Sequence, residues 1–134
     1  MSYLLDTNAC ITHLRSRPPS QVTARIGAAG AATVFLCSVV KAELKYGALR
    51  SRDPADSLAQ LERFYRHFQS LPFDDSAAEE YGLIRAELAA QGTPIGPNDL
   101  MIAAIARTHD LVLVTHNRTE FERVSGLTTE DWEA

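Results

Sequence analysis

The sequence has no long uninterrupted apolar run, although 46% of its 134 residues are hydrophobic. A helix that crosses a membrane needs about 20 consecutive apolar residues, so we expect no membrane-spanning segment. The chain also lacks a basic segment followed by an apolar stretch at its start, because a strand-like run follows Met1 almost at once. That lack argues against a secretory signal, and we expect a cytoplasmic protein.

Cysteine is scarce, since the chain contains only Cys10 and Cys37. Neither belongs to a Cys/His spacing of the kind that binds zinc. Cys10 falls in a predicted helix and Cys37 in a predicted strand. We therefore expect two buried free thiols in a reducing compartment, with a disulfide as the alternative.

Excess charge of one sign is also small, because the formal net charge is -4. A broad face that binds nucleic acid would carry a strong positive charge, which this composition does not favour. A cluster of carboxylates around a bound cation would itself make the total negative. The net charge therefore does not decide the class of substrate.

Repeats, low-complexity tracts and internal linkers are absent, and the length fits a single domain over residues 1–134. Apolar strand-like runs alternate with helical patterns along the chain. Leu111–Thr115 is continuously apolar, as strands buried on both faces of a parallel sheet tend to be. The alternation predicts an α/β fold of three layers, with a central parallel sheet flanked by helices. The predicted strands are Tyr3–Leu5, Thr33–Cys37, Leu71–Phe73 and Leu111–Thr115.

The helical patterns have recognisable ends. One helix is predicted from Ser38 to about Arg50, and a capping box formed by Ser76 and Glu79 begins a later one that Gly92 ends. Leu100–Ala106 is apolar on nearly every side, which predicts a central buried helix. Proline and glycine mark loops over Ser16–Ser20 and Gly92–Asn98.

An acid directly follows the first predicted strand. This residue is Asp6, and the carboxyl ends of strands in open α/β sheets line the crevice where ligands bind. Asp and Asn also cap helices, so a helix start with Asp6 or Asn8 as its cap explains this segment equally well.

Three further acids occupy comparable places. Glu43 lies on a partly apolar stripe in the second turn of the helix after strand two, Asp99 stands at the start of the buried helix, and Glu120 lies a turn after the last strand. Each acid also has a purely structural interpretation. Glu43 would be a solvated side chain beside Lys41 and Lys45, Asp99 a first-turn acid, and Glu120 part of a capped loop that enters a short helix. Together, those interpretations require several acids to fall by chance near one rim of one sheet.

The joint interpretation is a metal site lined by carboxylates. Hard oxygen ligands without cysteine or clustered histidine favour Mg²⁺ or Mn²⁺. Carboxylates that lie close together repel one another, and a divalent cation relieves that repulsion. Metals in such sites activate water and stabilise the charge of an in-line phosphoryl displacement, which suits the hydrolysis of phosphodiesters.

Four motifs occur in order along nearly the whole chain. They are Leu5-Asp6-Thr7-Asn8, Ala42-Glu43-Leu44-x-Tyr46-Gly47, Ile95-Gly96-Pro97-Asn98-Asp99 and Val114-Thr115-x-Asn117-x-x-Glu120-Phe121. This combination resembles PIN-domain ribonucleases and, more narrowly, the toxin half of VapBC toxin–antitoxin pairs.

The resemblance implies a compact α/β/α PIN domain with Mg²⁺- or Mn²⁺-dependent endoribonuclease activity, and tRNA as the expected class of RNA substrate. It also implies a homodimer, inhibition by a cognate antitoxin, and a hetero-oligomer of the two proteins. Contact with DNA is implied only through the antitoxin.

The resemblance carries site residues over position by position. Asp6, Glu43 and Asp99 match the core acidic ligands, and Glu120 matches a fourth acid of this toxin group. Asn117 departs from the many PIN domains that have Asp there. Because an amide binds Mg²⁺ more weakly than a carboxylate, a second metal would bind weakly or only with RNA present.

Several polar neighbours fit supporting roles. Thr7, Asn8 and Thr115 suit the orienting hydrogen bonds that metal-bound carboxylates and water need, although Thr7 and Asn8 equally suit helix caps. His116 lies beside the expected site, but the sequence supplies no partner that would make it a general base.

Two other classes of function deserve comparison, a binding module and a different phosphotransfer protein. A binding module, whose acidic pocket mainly receives a basic antitoxin segment, is favoured by Asn117 and opposed by the four intact acids. A dehalogenase-like phosphatase would need a second Asp where Asn8 stands. A receiver domain would need an acid pair by the first strand and a lysine after a late one, and neither is present.

Overall fold

Five short strands form one parallel sheet in the computed structural model, which describes residues 1–15 and 19–133. The three central strands present apolar side chains that the flanking helices cover, and Leu4, Leu5, Leu36 and Leu113 are fully buried. The strands are β1 (Tyr3–Leu5), β2 (Val34–Cys37), β3 (Gln69–Leu71), β4 (Val112–Val114) and β5 (Thr129–Glu130).

Three of the described helices, α2, α4 and α5, begin at polar side-chain caps. Ser20, Asp53 and Asp74 each accept a hydrogen bond from a backbone N–H of the first turn that follows. The described helices are α1 (Thr7–Arg15), α2 (Gln21–Ala29), α3 (Ser38–Leu49), α4 (Pro54–Tyr65), α5 (Asp75–Gln91), α6 (Pro97–Thr108) and α7 (Arg118–Phe121), with a 3-10 turn over Ala31–Thr33.

The strand order β3-β2-β1-β4-β5 determines where side chains from distant segments meet. The chain first builds outward from β1 through β2 to β3, and then crosses to the other side of β1 to form β4. Right-handed crossovers therefore place α1 to α4 on one face and α5 to α7 on the other. The direction of winding reverses between β1 and β4, and the crevice beyond their carboxyl ends is where such sheets bind ligands.

The predicted α/β architecture is confirmed, including the buried helix. In α6, the residues from Ile102 to Ala106 are fully buried. Gly92 ends α5 in the left-handed conformation with φ +70°, as its place after the predicted helix indicates. Cys10 and Cys37 are buried free thiols, as expected.

Three details of the prediction were wrong. β3 covers Gln69–Leu71 rather than Leu71–Phe73, because this edge strand pairs through its backbone while Gln69 and Ser70 stay exposed. α5 is capped by Asp74 rather than by a box starting at Ser76. β5 was not predicted, because its two residues carry no apolar run.

Other expectations concern the ends of elements. The loop predicted over Gly92–Asn98 is shorter, because Pro97 already begins α6. The loop predicted over Ser16–Ser20 lies partly outside the described residues, and Ser20 is the cap of α2. Within residues 1–15 and 19–133, every helix is too short or too polar to cross a membrane.

The last described residues pack onto the sheet rather than trail from it. Trp132 is 2% exposed, and its ring centroid lies 5.0 Å from that of Tyr3 in β1. The indole Nε1–H donates to Oε1 of Glu130 at 3.0 Å, and the guanidinium of Arg25 lies 5.5 Å from the indole ring. This C-terminal anchor holds the residues on either side of Trp132 against the carboxyl edge of the sheet.

Replacing Trp132 by Ala removes a large buried side chain, and we expect a loss of about 3–5 kcal/mol in the free energy of unfolding. Trp132→Phe retains most of the apolar contact and should lose clearly less. Urea unfolding followed by far-UV circular dichroism measures both variants. Equal stability of Trp132→Ala and the unmodified chain would contradict the packing described for this segment.

Candidate active site

Asp6 lies at the reversal of winding, at the carboxyl end of β1 and beside β4. Its backbone N–H donates to the carbonyl oxygen of Val114 at 3.1 Å, which ties the end of β1 to β4. Oδ1 of Asp6 accepts a hydrogen bond from the N–H of Ala9 at 2.8 Å, so Asp6 is also the cap of α1. The side chain is 5% exposed. Capping α1 accounts for the bond to Oδ1 of Asp6. It does not account for Oδ2 of this carboxylate or for a negative charge in a buried position.

The surroundings of Asp6 disfavour its charge. Burial is the main cause that raises the pKa of this carboxyl from 3.8 to about 6, and the negative charges of Asp99 and Glu133 add to it. Hydrogen bonds from Ala9 and from the hydroxyl of Thr115 act in the opposite direction without offsetting the rise. A carboxylate with this pKa is close to titration at neutral pH, which is common at functional sites.

Asp99 belongs to the same cluster of charge. It lies in the first turn of α6, where the helix N-terminus favours an acid. Burial nevertheless raises the pKa of Asp99, and the negative charges of Glu120 and Glu43 raise it further. Asp99 is therefore close enough to Asp6, Glu43 and Glu120 for their charges to interact, although these acids are far apart in sequence. We call Asp6, Glu43, Asp99 and Glu120 the acidic quartet.

Glu43 is oriented by α1. The hydroxyl of Thr7 donates to Oε1 of Glu43 at 2.8 Å, which links the first residue of α1 to the second turn of α3. Thr7 follows the cap residue rather than being the cap itself, so its side chain is available for this contact. Glu43 is half-buried, as is Lys41, whereas Lys45 is exposed.

Glu120 is oriented by the loop after β4. The side-chain Nδ2–H of Asn117 donates to Oε2 of Glu120 at 2.6 Å, and the backbone N–H of Asn117 donates to Oγ1 of Thr115 at 3.0 Å. Thr115 is 1% exposed, and its hydroxyl also bonds the carboxylate of Asp6. One short segment therefore contacts two members of the acidic quartet.

Asn8 lies to one side of the quartet. It is exposed and lines a cavity of about 340 Å³, which we call the side cavity, on the flank of the loop that carries Asn117. The side cavity is lined by Asn8, Ile11, Thr12, His116, Asn117 and Glu133.

Sequence reasoning missed the contribution of the C-terminus. Glu133 is close enough to Asp6 to raise its pKa, and its Oε1 accepts a hydrogen bond from Thr12 at 3.3 Å. Asp131 lies 2.9 Å from Nδ1 of His116, which supplies the partner that the sequence did not reveal. Trp132 between the two acids was the available signal, since a buried aromatic residue near a chain end anchors its neighbours.

The donor set fits a hard divalent cation. The acidic quartet offers carboxylate oxygens, and burial raises the pKa of both cysteine thiols, which keeps them in the uncharged form that binds metal poorly. Burial and mutual repulsion raise the pKa values of Asp6 and Asp99, which is the strain that a bound cation relieves. Hydrogen bonds from Thr7 and Asn117 leave carboxylate oxygens of Glu43 and Glu120 available for further ligands.

Comparisons with known proteins agree with this architecture. The family described as PIN domain matches residues 3–127. The chain is 46% identical to the tRNA(fMet)-specific endonuclease VapC of Shigella flexneri and 41% identical to that of Salmonella typhimurium, and each comparison covers 98% of both chains.

Solved structures show the same fold. DNA-bound VapBC from Salmonella typhimurium contains a chain with a TM-score of 0.92 and 41% identity, covering 98% of both chains. VapBC2 from Rickettsia felis, bound to a DNA fragment from its promoter, gives a TM-score of 0.92 at 32% identity, covering 98% of this chain and 99% of that one. The chain therefore belongs to the PIN-domain family, and within it to the VapC proteins.

Proposed function

We propose that the chain is the toxin of a type II toxin–antitoxin system, a Mg²⁺- or Mn²⁺-dependent endoribonuclease that acts in the cytoplasm. The observation that carries the proposal is the convergence of the acidic quartet where the sheet reverses its winding. PIN-domain ribonucleases are generally metal-dependent, and a quartet of this kind is suited to holding the metal. Membership of the VapC proteins supports ribonuclease activity.

In this proposal, some residues of the site bind the cation and others orient the carboxylates that bind it. Asp6 and Asp99, from β1 and α6, would hold the cation between them, with Glu43 and Glu120 completing its acidic surroundings. A bound cation supplies an activated water and stabilises the charge that develops on the phosphoryl group during in-line displacement. Thr7 orients Glu43, and Thr115 holds Asp6. These contacts keep the carboxylates in place while RNA binds.

Transfer RNA is the proposed substrate class. Two relatives that cover 98% of the chain are named tRNA(fMet)-specific endonucleases, at 46% and 41% identity. Initiator tRNA is therefore the first RNA to assay. The acidic site repels phosphates until a cation is bound, so we expect the chain to bind RNA productively only with the metal present.

A cognate antitoxin is the proposed protein partner. Structural relatives include VapBC complexes, two of them with DNA. A basic antitoxin segment would neutralise the acidic quartet as a cation does, and DNA would be bound through the antitoxin. We also propose a homodimer of the chain within that hetero-oligomer.

A weakly catalytic binding module is the second candidate, and Asn117 is the observation that favours it. Its amide replaces a negative ligand and donates to Glu120. On this account, the acidic pocket mainly receives the antitoxin, and RNA cleavage is vestigial.

Cleavage of initiator tRNA by the purified chain, freed of antitoxin, should require Mg²⁺ or Mn²⁺ and stop with EDTA. Asp6→Asn and Asp99→Asn should each lose about 100-fold or more in rate, because each removes a ligand charge. Asp75→Asn, at an exposed acid of α5, is the matched control and should keep full activity. Cleavage that survives EDTA or both site variants would contradict the metal site. Inactivity of the unmodified chain on a broad RNA panel would favour the binding module.

Metal binding should also stabilise the fold. Because the folded pKa of Asp6 is about 6, above its ordinary 3.8, the metal-free protein should lose stability as the pH rises through that interval. The difference of about 2 pKa units corresponds to about 3 kcal/mol. Asp6→Asn keeps the acceptor for Ala9 and should therefore unfold at a higher temperature than the unmodified chain in EDTA at pH 7.

Thermal unfolding with and without Mg²⁺ measures this effect. The unmodified chain should gain stability with Mg²⁺, whereas Asp6→Asn should gain little. Lower stability of Asp6→Asn in EDTA would show that the carboxylate is not strained in the metal-free fold.

Asn117→Asp tests the departure from the usual PIN-domain ligand. The variant adds a negative charge next to Glu120, so Mg²⁺ should reach half-maximal activation at a concentration lower by roughly tenfold. Gln91→Glu, at an exposed residue at the end of α5, controls for added charge away from the site. Unchanged dependence on Mg²⁺ in Asn117→Asp would place residue 117 outside the ligand set.

A further inference from the structure

His116 and two C-terminal acids form a second group beside the acidic quartet. Nδ1 of His116 lies 2.9 Å from Oδ2 of Asp131, and one ligand atom from each of His116, Asp131 and Glu133 lies within 4.8 Å of the other two. The histidine and its partner are 15 residues apart in the chain. The fold therefore builds this group, because β5 pairs with β4 and places Asp131 opposite the loop after β4.

Asp131 is held in place. Its Oδ1 accepts the backbone N–H of Glu133 at 2.9 Å, and the next residue, Trp132, is buried against Tyr3. The side chain of Asp131 is 15% exposed, whereas that of His116 is 66% exposed. A nearly buried carboxylate on a packed segment therefore fixes an imidazole whose other edge faces outward.

The contact with Asp131 determines which ring nitrogen of His116 carries the proton. A carboxylate can only accept, so Nδ1 of His116 must donate in this hydrogen bond. In the neutral imidazole, Nε2 then has a lone pair and acts as an acceptor. With Nδ1 engaged by Asp131, Nε2 is the ring nitrogen of His116 that meets a ligand at the wall of the side cavity, accepting when the ring is neutral and donating when it is protonated.

The side cavity adjoins the acidic quartet, beside the loop after β4 and the C-terminal segment. Its wall includes Asn117, which bonds Glu120 of the quartet, and Glu133, whose charge is close to Asp6. The donor that RNA has and DNA lacks is the ribose 2′-hydroxyl. Glu133 suits that donor less well, because it already accepts from Thr12 and its charge repels the neighbouring phosphates.

We propose that His116, oriented by Asp131, binds substrate through a hydrogen bond between Nε2 and a ribose 2′-hydroxyl next to the cleaved phosphodiester. Asp131 is a positioning residue, and the pair favours RNA over DNA at this nucleotide. The inference rests on the proposed endoribonuclease function and extends it to the recognition of sugar.

The experiment compares the unmodified chain and its variants on RNA substrates with and without a 2′-hydroxyl at one nucleotide. Once the cleaved bond in initiator tRNA has been mapped, each of the two flanking nucleotides in turn carries a 2′-deoxy sugar. With the unmodified chain and Mg²⁺, one of these substitutions should lower kcat/KM by about 3- to 10-fold, the usual size of one hydrogen bond between neutral groups. His116→Ala should cleave the all-RNA substrate more slowly by a similar factor and be indifferent to that same 2′-deoxy substitution.

Variants of Asp131 separate positioning from folding. Asp131→Ala should reduce the discrimination, while Asp131→Asn, whose amide oxygen still accepts from Nδ1, should retain part of it. His109→Ala, which removes an exposed histidine after α6, is the matched control and should discriminate as the unmodified chain does. The concentration of Mg²⁺ for half-maximal activity should stay the same in all these variants.

Four other outcomes of this experiment would each overturn the inference, for different reasons. Equal discrimination by His116→Ala and the unmodified chain would overturn the inference and leave the proposed function intact. Loss of all cleavage on the 2′-deoxy substrate with both proteins would assign the hydroxyl to the chemistry and overturn the contact. A raised requirement for Mg²⁺ in His116→Ala would make the group a metal site instead. No RNA cleavage by the unmodified chain would overturn the proposed function and this inference with it.

Discussion

The burial and mutual repulsion of carboxylates is the constraint on which the structure of the site depends. Asp6 is buried and Asp99 is half-buried, and each raises the cost of the negative charges around it. A fold accepts such a cost only where packing and hydrogen bonds hold the acids in place. Asp6 is held by the first turn of α1 and by Thr115, and Glu43 by Thr7. The hydrogen bond that caps α1 therefore also holds the Asp6 carboxylate in place against the repulsion of the neighbouring acids.

The sheet order explains why these acids meet. β1 and β4 are adjacent although more than a hundred residues separate them, and β5 adds the C-terminal segment beside β4. Helix ends from both layers reach the same edge, so α1 and α3 on one face and α6 on the other each supply an acid or its support. A cation at this edge would bind the acids that these elements supply and would offset the repulsion among them.

Much of this arrangement was predictable from the sequence, for physical reasons. The apolar strands and the buried α6 were visible because burial on all sides leaves an uninterrupted apolar pattern. β3 was misplaced and β5 was missed because edge strands pair through backbone atoms, which leave little trace in side-chain polarity. The Asp131 partner of His116 was hidden for the same reason, since only the β4–β5 pairing brings the two residues together.

The central claim is that the acidic quartet is a cation site that exchanges protons for metal. Titration calorimetry of Mg²⁺ and Mn²⁺ into the antitoxin-free chain, in buffers of different ionisation enthalpy, measures that exchange directly. With the pKa of Asp6 at about 6, we predict proton release of up to about half a proton per ion from this residue at pH 6, and little at pH 8. Binding without proton release at pH 6, or no binding at either pH, would contradict the account.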